Sequence, residues 1–221
     1  MLYYFVMTLH GTGLRVAEAT RLKVKDLHRV TEDAARLDAY EKQLRLTFGK
    51  NYRHLSDAQR EIVINDQLSK QYDYRVKVSA DLQLKHYTHE ITVIPLAAMT
   101  IVFDNILQVL LRHLPEELIG DISTTDLLPP ELWFFCHLDG RRIKSFDHGF
   151  DTVLGELDLL HCNGKKRSLT SIRHTYASER IEARSADLKS IADNMGTTVE
   201  MLYKHYSQEI RELRAAELQV I

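Results

Sequence analysis

The sequence predicts a mainly helical α+β domain carrying one small antiparallel sheet. Apolar residues recur at helical spacing over residues 2–9, 96–114, 146–159 and 168–208. The pattern changes to period two at Tyr74, Val76 and Val78, and again at Ile91, Val93 and Pro95, which is how two half-buried strands read. Glycine and proline punctuate the segments between, at Gly11, Gly13, Pro115, Pro129, Pro130, Gly164 and Gly196. With 221 residues, 44% of them hydrophobic, the chain can bury a substantial core as one large or two small domains.

Taken in order, residues 2–9 form a helix that stops at Gly11-Thr12-Gly13, where glycine permits the tight turn from which Arg15 emerges. Val16, Ala19, Leu22 and Val24 continue an apolar pattern to Leu27. Residues 28–72 are polar, with helical periodicity over 34–48 and 56–68, and Ser56-Asp57-Ala58-Gln59 supplies a cap for the second of these. So long a stretch is improbable as structureless loop, so it is expected to be a helical insertion on the surface. The two period-two strands follow, with Gln83-Leu84-Lys85 between them. Helix 96–114 then buries Ile101, Ile106, Val109 and Leu110 on one face. Trp133-Phe134-Phe135 is a short apolar strand or core insertion, and residues 164–167 form a basic turn.

The stretch 168–208 is the most informative. Ile172, Tyr176, Ala177 and Ile181 place Arg173 at the start of an amphipathic helix. Asp187 caps a second helix through Asn194, ended by Gly196 in a left-handed conformation. Thr197-Thr198-Val199-Glu200 opens a third, with Thr197 the expected N-cap. That helix carries Tyr203 and Tyr206 on neighbouring parts of one face. Residues 209–218 read as a charged helix within a C-terminal tail, 208–221.

Arg173-His174, Met195-Gly196-Thr197 and Tyr206, preceded far upstream by GTGLRVAEATRLKVKDL around Arg15, resemble the catalytic domain of tyrosine recombinases, the phage-type integrases. The order of the blocks and the spacing of Tyr206 after Gly196 both match that family's pattern. The resemblance implies a catalytic domain over 1–207, interrupted by the 28–72 insertion. Family members carry an earlier catalytic helix and an N-terminal DNA-clamping domain, neither visible here, which implies a fragment or a shortened protein. It further implies a site-specific recombinase of a phage or mobile element, acting on double-stranded DNA as a tetramer, with no metal, ATP or other cofactor.

Breaking a phosphodiester in this way needs an in-line nucleophile, cationic donors to the equatorial oxygens, and a proton for the leaving oxygen. Arginine suits the second role, because its planar fork binds two phosphate oxygens and keeps its charge. The resemblance assigns that role to Arg15 and Arg173, the nucleophile to Tyr206, and the general acid to Lys85, with Lys77 as competitor. Tyr203 is the neighbouring tyrosine, expected to pack. Thr170 stands where the family typically has histidine, three residues before the second arginine, and Thr197 where it often has histidine or tryptophan. Either threonine can hydrogen-bond a phosphate, but neither titrates near pH 7. His174 points about 100° from Arg173 on a helix, which leaves a structural and a supporting catalytic place open.

The formal charge of −2 counts against a surface that attracts nucleic acid everywhere. Arg141, Arg142, Lys144, Lys165, Lys166 and Arg167 nevertheless cluster before the key stretch and are the expected DNA contacts, while acids concentrate in 31–66. Cys136 and Cys162 do not suggest a disulfide framework, and the scattered histidines lack zinc-ligand spacing. No apolar run reaches the ~18 residues that span a bilayer. Residues 1–9 lack the basic flank and cleavage site of a signal peptide, so a cytoplasmic, nucleoid-associated protein without membrane contact is expected. A helix-turn-helix regulator is the rival, with Ala192, Gly196 and Leu202 in its key positions. A degenerate recombinase that binds DNA without cutting it is the third reading.

Overall fold

The computed structural model describes residues 1–30, 73–79, 90–119, 128–207 and 210. The chain divides into two compact units, one formed by 1–28 with 75–221 and the other by Arg29–Tyr74. Most of the insertion, Lys85 and the C-terminal tail apart from Ile210 lie outside the described residues. Within the smaller unit, the Arg29 Nε donates to the Tyr74 hydroxyl at 3.0 Å.

Helix α1, Leu2–Thr12, is apolar enough to be the central element of the larger unit, and it packs on α3, Met99–His113, and α6, Leu169–Glu182. Phe5 stacks on Phe146 at 4.2 Å between ring centroids and meets Phe135 edge-on at 5.0 Å. Phe134 continues the cluster to Phe103 on α3. Such rings bury large areas and hold defined mutual orientations, so they fix where α1 ends. The segment bearing Phe134 is stitched to the chain after Arg15: Val24 donates to the Leu132 carbonyl at 2.9 Å, and Phe134 to that of Leu22 at 2.9 Å.

Helix α2, Val16–Ala19, is shorter than the apolar pattern suggested, because a 3₁₀ turn at Val24–Asp26 and the pairing with residues 132–134 replace its continuation. Strand β1, Leu27–Val30, starts directly after this turn, so residues 28–30 are strand rather than helical insertion. With β2, Asp73–Val78, and β3, Ile91–Val93, it forms a sheet of order β1-β2-β3. The expected antiparallel pairing of the second and third strands is present, with Val76 opposite Val93 and Val78 opposite Ile91.

Helix α3 buries Ile106 and Leu110 as expected, but its inward face is rotated away from Ile101. Met99, Val102, Phe103, Ile106, Leu107 and Leu110 are buried, whereas Ile101 is 68% exposed. The longer stripe at spacings of three and four wins over the shorter one through Ile101. Downstream come α4, Glu116–Ile119, and α5, Asp147–Glu156. A small hairpin follows, β4, His161–Cys162, and β5, Lys165–Lys166, whose Asn163 and Gly164 both have positive φ. The expected basic turn is this hairpin, with the two-residue connection that matches strand twist.

Helix α6 begins at Leu169, not at Arg173, with Ser168 at its N-cap, where the Ser171 hydroxyl accepts the Ser168 N–H at 3.0 Å. Helix α7, Leu188–Asn194, is capped by Asp187 as expected, through the Ser190 N–H at 2.9 Å. Helix α8, Val199–His205, takes Thr198 as its cap rather than Thr197, since the Thr198 oxygen lies 3.2 Å from the Met201 N–H. A second core joins these helices through Tyr176, Ala177, Ile181, Ile191, Ala192, Met195, Leu202, Tyr206 and Ile210. Among the described residues no helix is long and apolar enough to cross a membrane.

Gly13 is where α1 meets α6. Its φ of 67° is left-handed, and a Cβ there would stand 2.5 Å from the buried Tyr176 ring. Gly13→Ala is expected to cost about 2–4 kcal/mol, combining backbone strain with overpacking, read as a lower urea midpoint at unchanged m-value.

Candidate functional site

The two sequence blocks meet at the end of α7. Asn194 terminates that helix, and beyond it Gly196 adopts φ 58° with no room for a side chain, since a Cβ would lie 2.8 Å from Ile91. The chain turns sharply, exposing carbonyls that a continuing helix would have used. Arg173 Nη2 donates to the Met195 carbonyl at 2.8 Å, and Arg15 Nη2 to the Gly196 carbonyl at 2.6 Å. Carbonyls at a helix C-terminus carry partial negative charge, so cations settle there. Arg173 Nη1 also donates to the Gly13 carbonyl, which ties the first block to α6.

Arg15 is oriented from below by a carboxylate. Glu18, 2% exposed, accepts from Arg15 Nη1 at 2.6 Å and from the Arg15 backbone N–H at 2.9 Å. One buried acid thus fixes both the backbone entering α2 and the direction of the guanidinium, with good geometry for a charge-assisted pair. Glu18 is a functional residue that the motif pattern does not single out. Its signal was a carboxylate three residues after Arg15, at capping-box spacing.

Arg15, Arg173, His174, Thr197 and Tyr206 all border one cleft of about 580 Å³, completed by Met195, Thr198, Met201, Leu202 and His205. Tyr206 sits at the C-cap of α8, its backbone already out of helical geometry, with its ring packed into the second core and its residue only 6% exposed. Its hydroxyl reaches His174 Nδ1 at 2.7 Å. Burial lowers the His174 pKa from its ordinary value, and nearby His205 and Arg173 push it the same way. At neutral pH the imidazole is therefore uncharged and one of its nitrogens can accept a proton. The sequence left His174 open between two places. It also gave no place to His205, whose ring centroid lies 6.1 Å from that of His174.

The remaining expected residues fall elsewhere. Thr170 is exposed and does not border the cleft. Lys85 lies outside the described residues, while Lys77 lines a different cleft with Lys23, Lys25 and His28, its Nζ 3.4 Å from Glu90. Tyr203 is half-buried against the second core. Arg141, Arg142 and Lys144 line a third cleft with Trp133, over which Arg142 stands at 5.2 Å. Arg141 is paired with Asp139 at 2.6 Å and Lys166 with Asp151 at 2.5 Å. Arg167 donates to the Leu159 carbonyl at 3.1 Å, and Lys165 is exposed on β5. The basic cluster is therefore two groups, and acids partly neutralise each.

No protein-family model matches the chain, and no curated protein matches it. Solved structures do. A XerH site-specific recombinase bound to palindromic difH substrate, in a post-cleavage complex, superposes with a TM-score of 0.55 at 14% identity, covering 98% of this chain and 44% of that one. The Tn1549 transposon integrase in complex with transposon right end DNA gives 0.54 at 16% identity, covering 98% and 57%. The chain spans about half the length of these proteins. Its fold is that of the tyrosine-recombinase catalytic domain, mainly helical with a small antiparallel sheet.

Proposed function

We propose that this chain is the catalytic domain of a site-specific DNA recombinase, an integrase that cuts and rejoins double-stranded DNA through a covalent 3′-phosphotyrosine at Tyr206. The observation that carries this is the convergence of Arg15, Arg173 and Tyr206, from opposite ends of the sequence, on one cleft. Both superposed proteins are recombinases or integrases bound to DNA, which supports the same reading. In it the scissile phosphate enters the cleft between the guanidinium groups. These stabilise charge that grows on the equatorial oxygens as Tyr206 attacks. Because the phosphotyrosine ester keeps the energy of the broken bond, a free 5′-hydroxyl can reverse the step without ATP.

Arg141, Arg142, Lys144, Lys165, Lys166 and Arg167 supply phosphate contacts beyond the cleft in this reading, and the working unit on DNA is a tetramer. Lys85 delivers the proton to the 5′ leaving oxygen. Lys85→Ala is expected to slow cleavage by about 10²–10⁴-fold, the usual worth of a positioned general acid. A substrate with a 5′-bridging sulfur should restore the rate, because a thiol, with a pKa near 8.5, leaves without protonation. Single-turnover cleavage of both substrates checks this, and an unaffected oxygen substrate would remove Lys85 from the role.

The enzyme reading is tested by incubating the chain with nicked duplexes of randomised sequence and resolving the products in detergent. The nick lets the cut strand diffuse away, so a covalent protein–DNA species accumulates. A helix-turn-helix regulator or a degenerate recombinase would retain DNA without forming that species. The regulator reading also leaves the Arg15 contact with Gly196 without a use.

A further inference from the structure

We propose that His174 is the proton acceptor that activates Tyr206, an inference that rests on the recombinase reading above. Its Nδ1 lies 2.7 Å from the Tyr206 hydroxyl oxygen, a distance at which a proton passes directly between the two. The placement follows from helix geometry. Consecutive residues on α6 point about 100° apart. Arg173 therefore turns to the Gly13 and Met195 carbonyls while His174 faces the start of the turn after α8. The tyrosine is held as firmly, its ring in the second core and its N–H donating to the Leu202 carbonyl at 2.8 Å.

The position where the resemblance places a histidine offers no alternative base. Thr170 is exposed, away from the cleft, and does not titrate near neutrality. His174 lies four residues further along the same helix, one turn on, and reaches the hydroxyl that Thr170 does not.

The Tyr206 oxygen forms the bond to phosphorus, and its proton moves to His174 Nδ1. The bond from phosphorus to the 5′ oxygen breaks, its electron pair stays on that oxygen, and the general acid protonates it. In rejoining, the 5′-hydroxyl attacks phosphorus and gives its proton back to the deprotonated general acid, the bond to the tyrosine oxygen breaks, and His174 returns the proton to that oxygen. This requires the tautomer with hydrogen on Nε2 and a neutral ring. The groups facing His174 are Arg173 on its own helix, His205 and Tyr206 from α8 and its cap, and Arg15 sharing the cleft. Burial disfavours an imidazolium most, and His205 and Arg173 act in the same direction.

The test is single-turnover adduct formation on nicked duplexes of randomised sequence, across pH 5 to 9, for the wild type, His174→Gln and His174→Asn. The wild-type rate is expected to fall on acidification as His174 protonates, with the limb displaced to the acid side of an ordinary imidazole because burial lowers its pKa. Both variants are expected to be about 10²-fold slower or worse at neutral pH, to lose that acid limb, and to retain DNA in a gel-shift assay as the wild type does. The 5′-bridging sulfur should not rescue them, since it relieves the need for an acid only. A wild-type rate flat through the acid range overturns the proposal without any variant. So does a variant that keeps the wild-type rate, or one that is slow but keeps the acid limb, as a structural histidine would. In each of these cases the adduct still forms and the recombinase reading stands. A wild type that forms no adduct overturns both.

Discussion

Tyr206→Phe abolishes the covalent protein–DNA species, while Tyr203→Phe leaves it in place. The first change removes one oxygen and keeps the ring that packs with Ile181, Ile191 and Leu202 in the second core. What folding loses is the hydrogen bond to His174, worth about 1 kcal/mol. What the reaction loses is its nucleophile, and with it the covalent route. The expected fall is on the order of 10⁴–10⁶-fold, the scale seen when a nucleophile is removed from a preorganised site. Tyr203 is half-buried against the same core and does not border the cleft, so its hydroxyl has no access to a phosphate held there. Adduct yield in detergent, with urea unfolding to verify that both variants fold, separates the two.

Arg173→Lys has the second largest expected effect, and it is not a conservative change. The guanidinium spans the Gly13 and Met195 carbonyls through two different nitrogens. A lysine ammonium is a point charge on a flexible stem and cannot make that fork. The rate should fall about 10²–10³-fold, as for loss of one preorganised donor to a developing oxyanion. Stability should fall as well, by about 1–3 kcal/mol, because two part-buried carbonyls, one at the end of α1 and one in the turn after α7, lose their donor. Single-turnover cleavage and urea unfolding on the same preparation would show both losses. A variant that is destabilised yet cuts at the wild-type rate would make Arg173 a clamp for the turn and nothing more.

That double duty explains how much of the site could be read from the chain. That Arg15, Arg173 and Tyr206 belong together was an expectation from the resemblance, carried by three short blocks, a Gly-x-Gly turn, an Arg-His pair and a helix following Met-Gly, and the three residues do border one cleft. Local rules also gave Asp187 as a cap and Gly196 as a helix end, since those depend on backbone geometry within a few residues. The contacts that orient the side chains were not legible. The bond between His174 and Tyr206 joins residues 32 apart, and the one from Arg15 to Gly196 joins residues 181 apart. Nothing in either local pattern specifies its partner.

The fold shows the same division. Helix existence was clear in α1, α3 and α6, and Ile106 and Leu110 of α3 are buried as expected, but Ile101 is not, because two apolar stripes compete there. Tertiary packing decides between them, with Phe103 meeting Phe134 and Met99 lying against Gly11. Capping by Thr198 instead of Thr197 turned on which threonine keeps an extended backbone while its oxygen meets the N–H three residues on. Two adjacent threonines carry the same local signal. The early start of α6 depended on the Ser168–Ser171 pair, a capping box in which serine replaces the usual Glu or Gln.

The measurement that bears most directly on the central claim is the position of the nucleotide on the chain. The covalent species formed on nicked duplexes of randomised sequence would be digested with nuclease and protease, and its peptides sequenced by tandem mass spectrometry. The account predicts a single nucleotide remnant, attached through a 3′-phosphate to the Tyr206 oxygen. A remnant on Tyr203 or any other residue, or DNA retained with no covalent remnant at all, would contradict it.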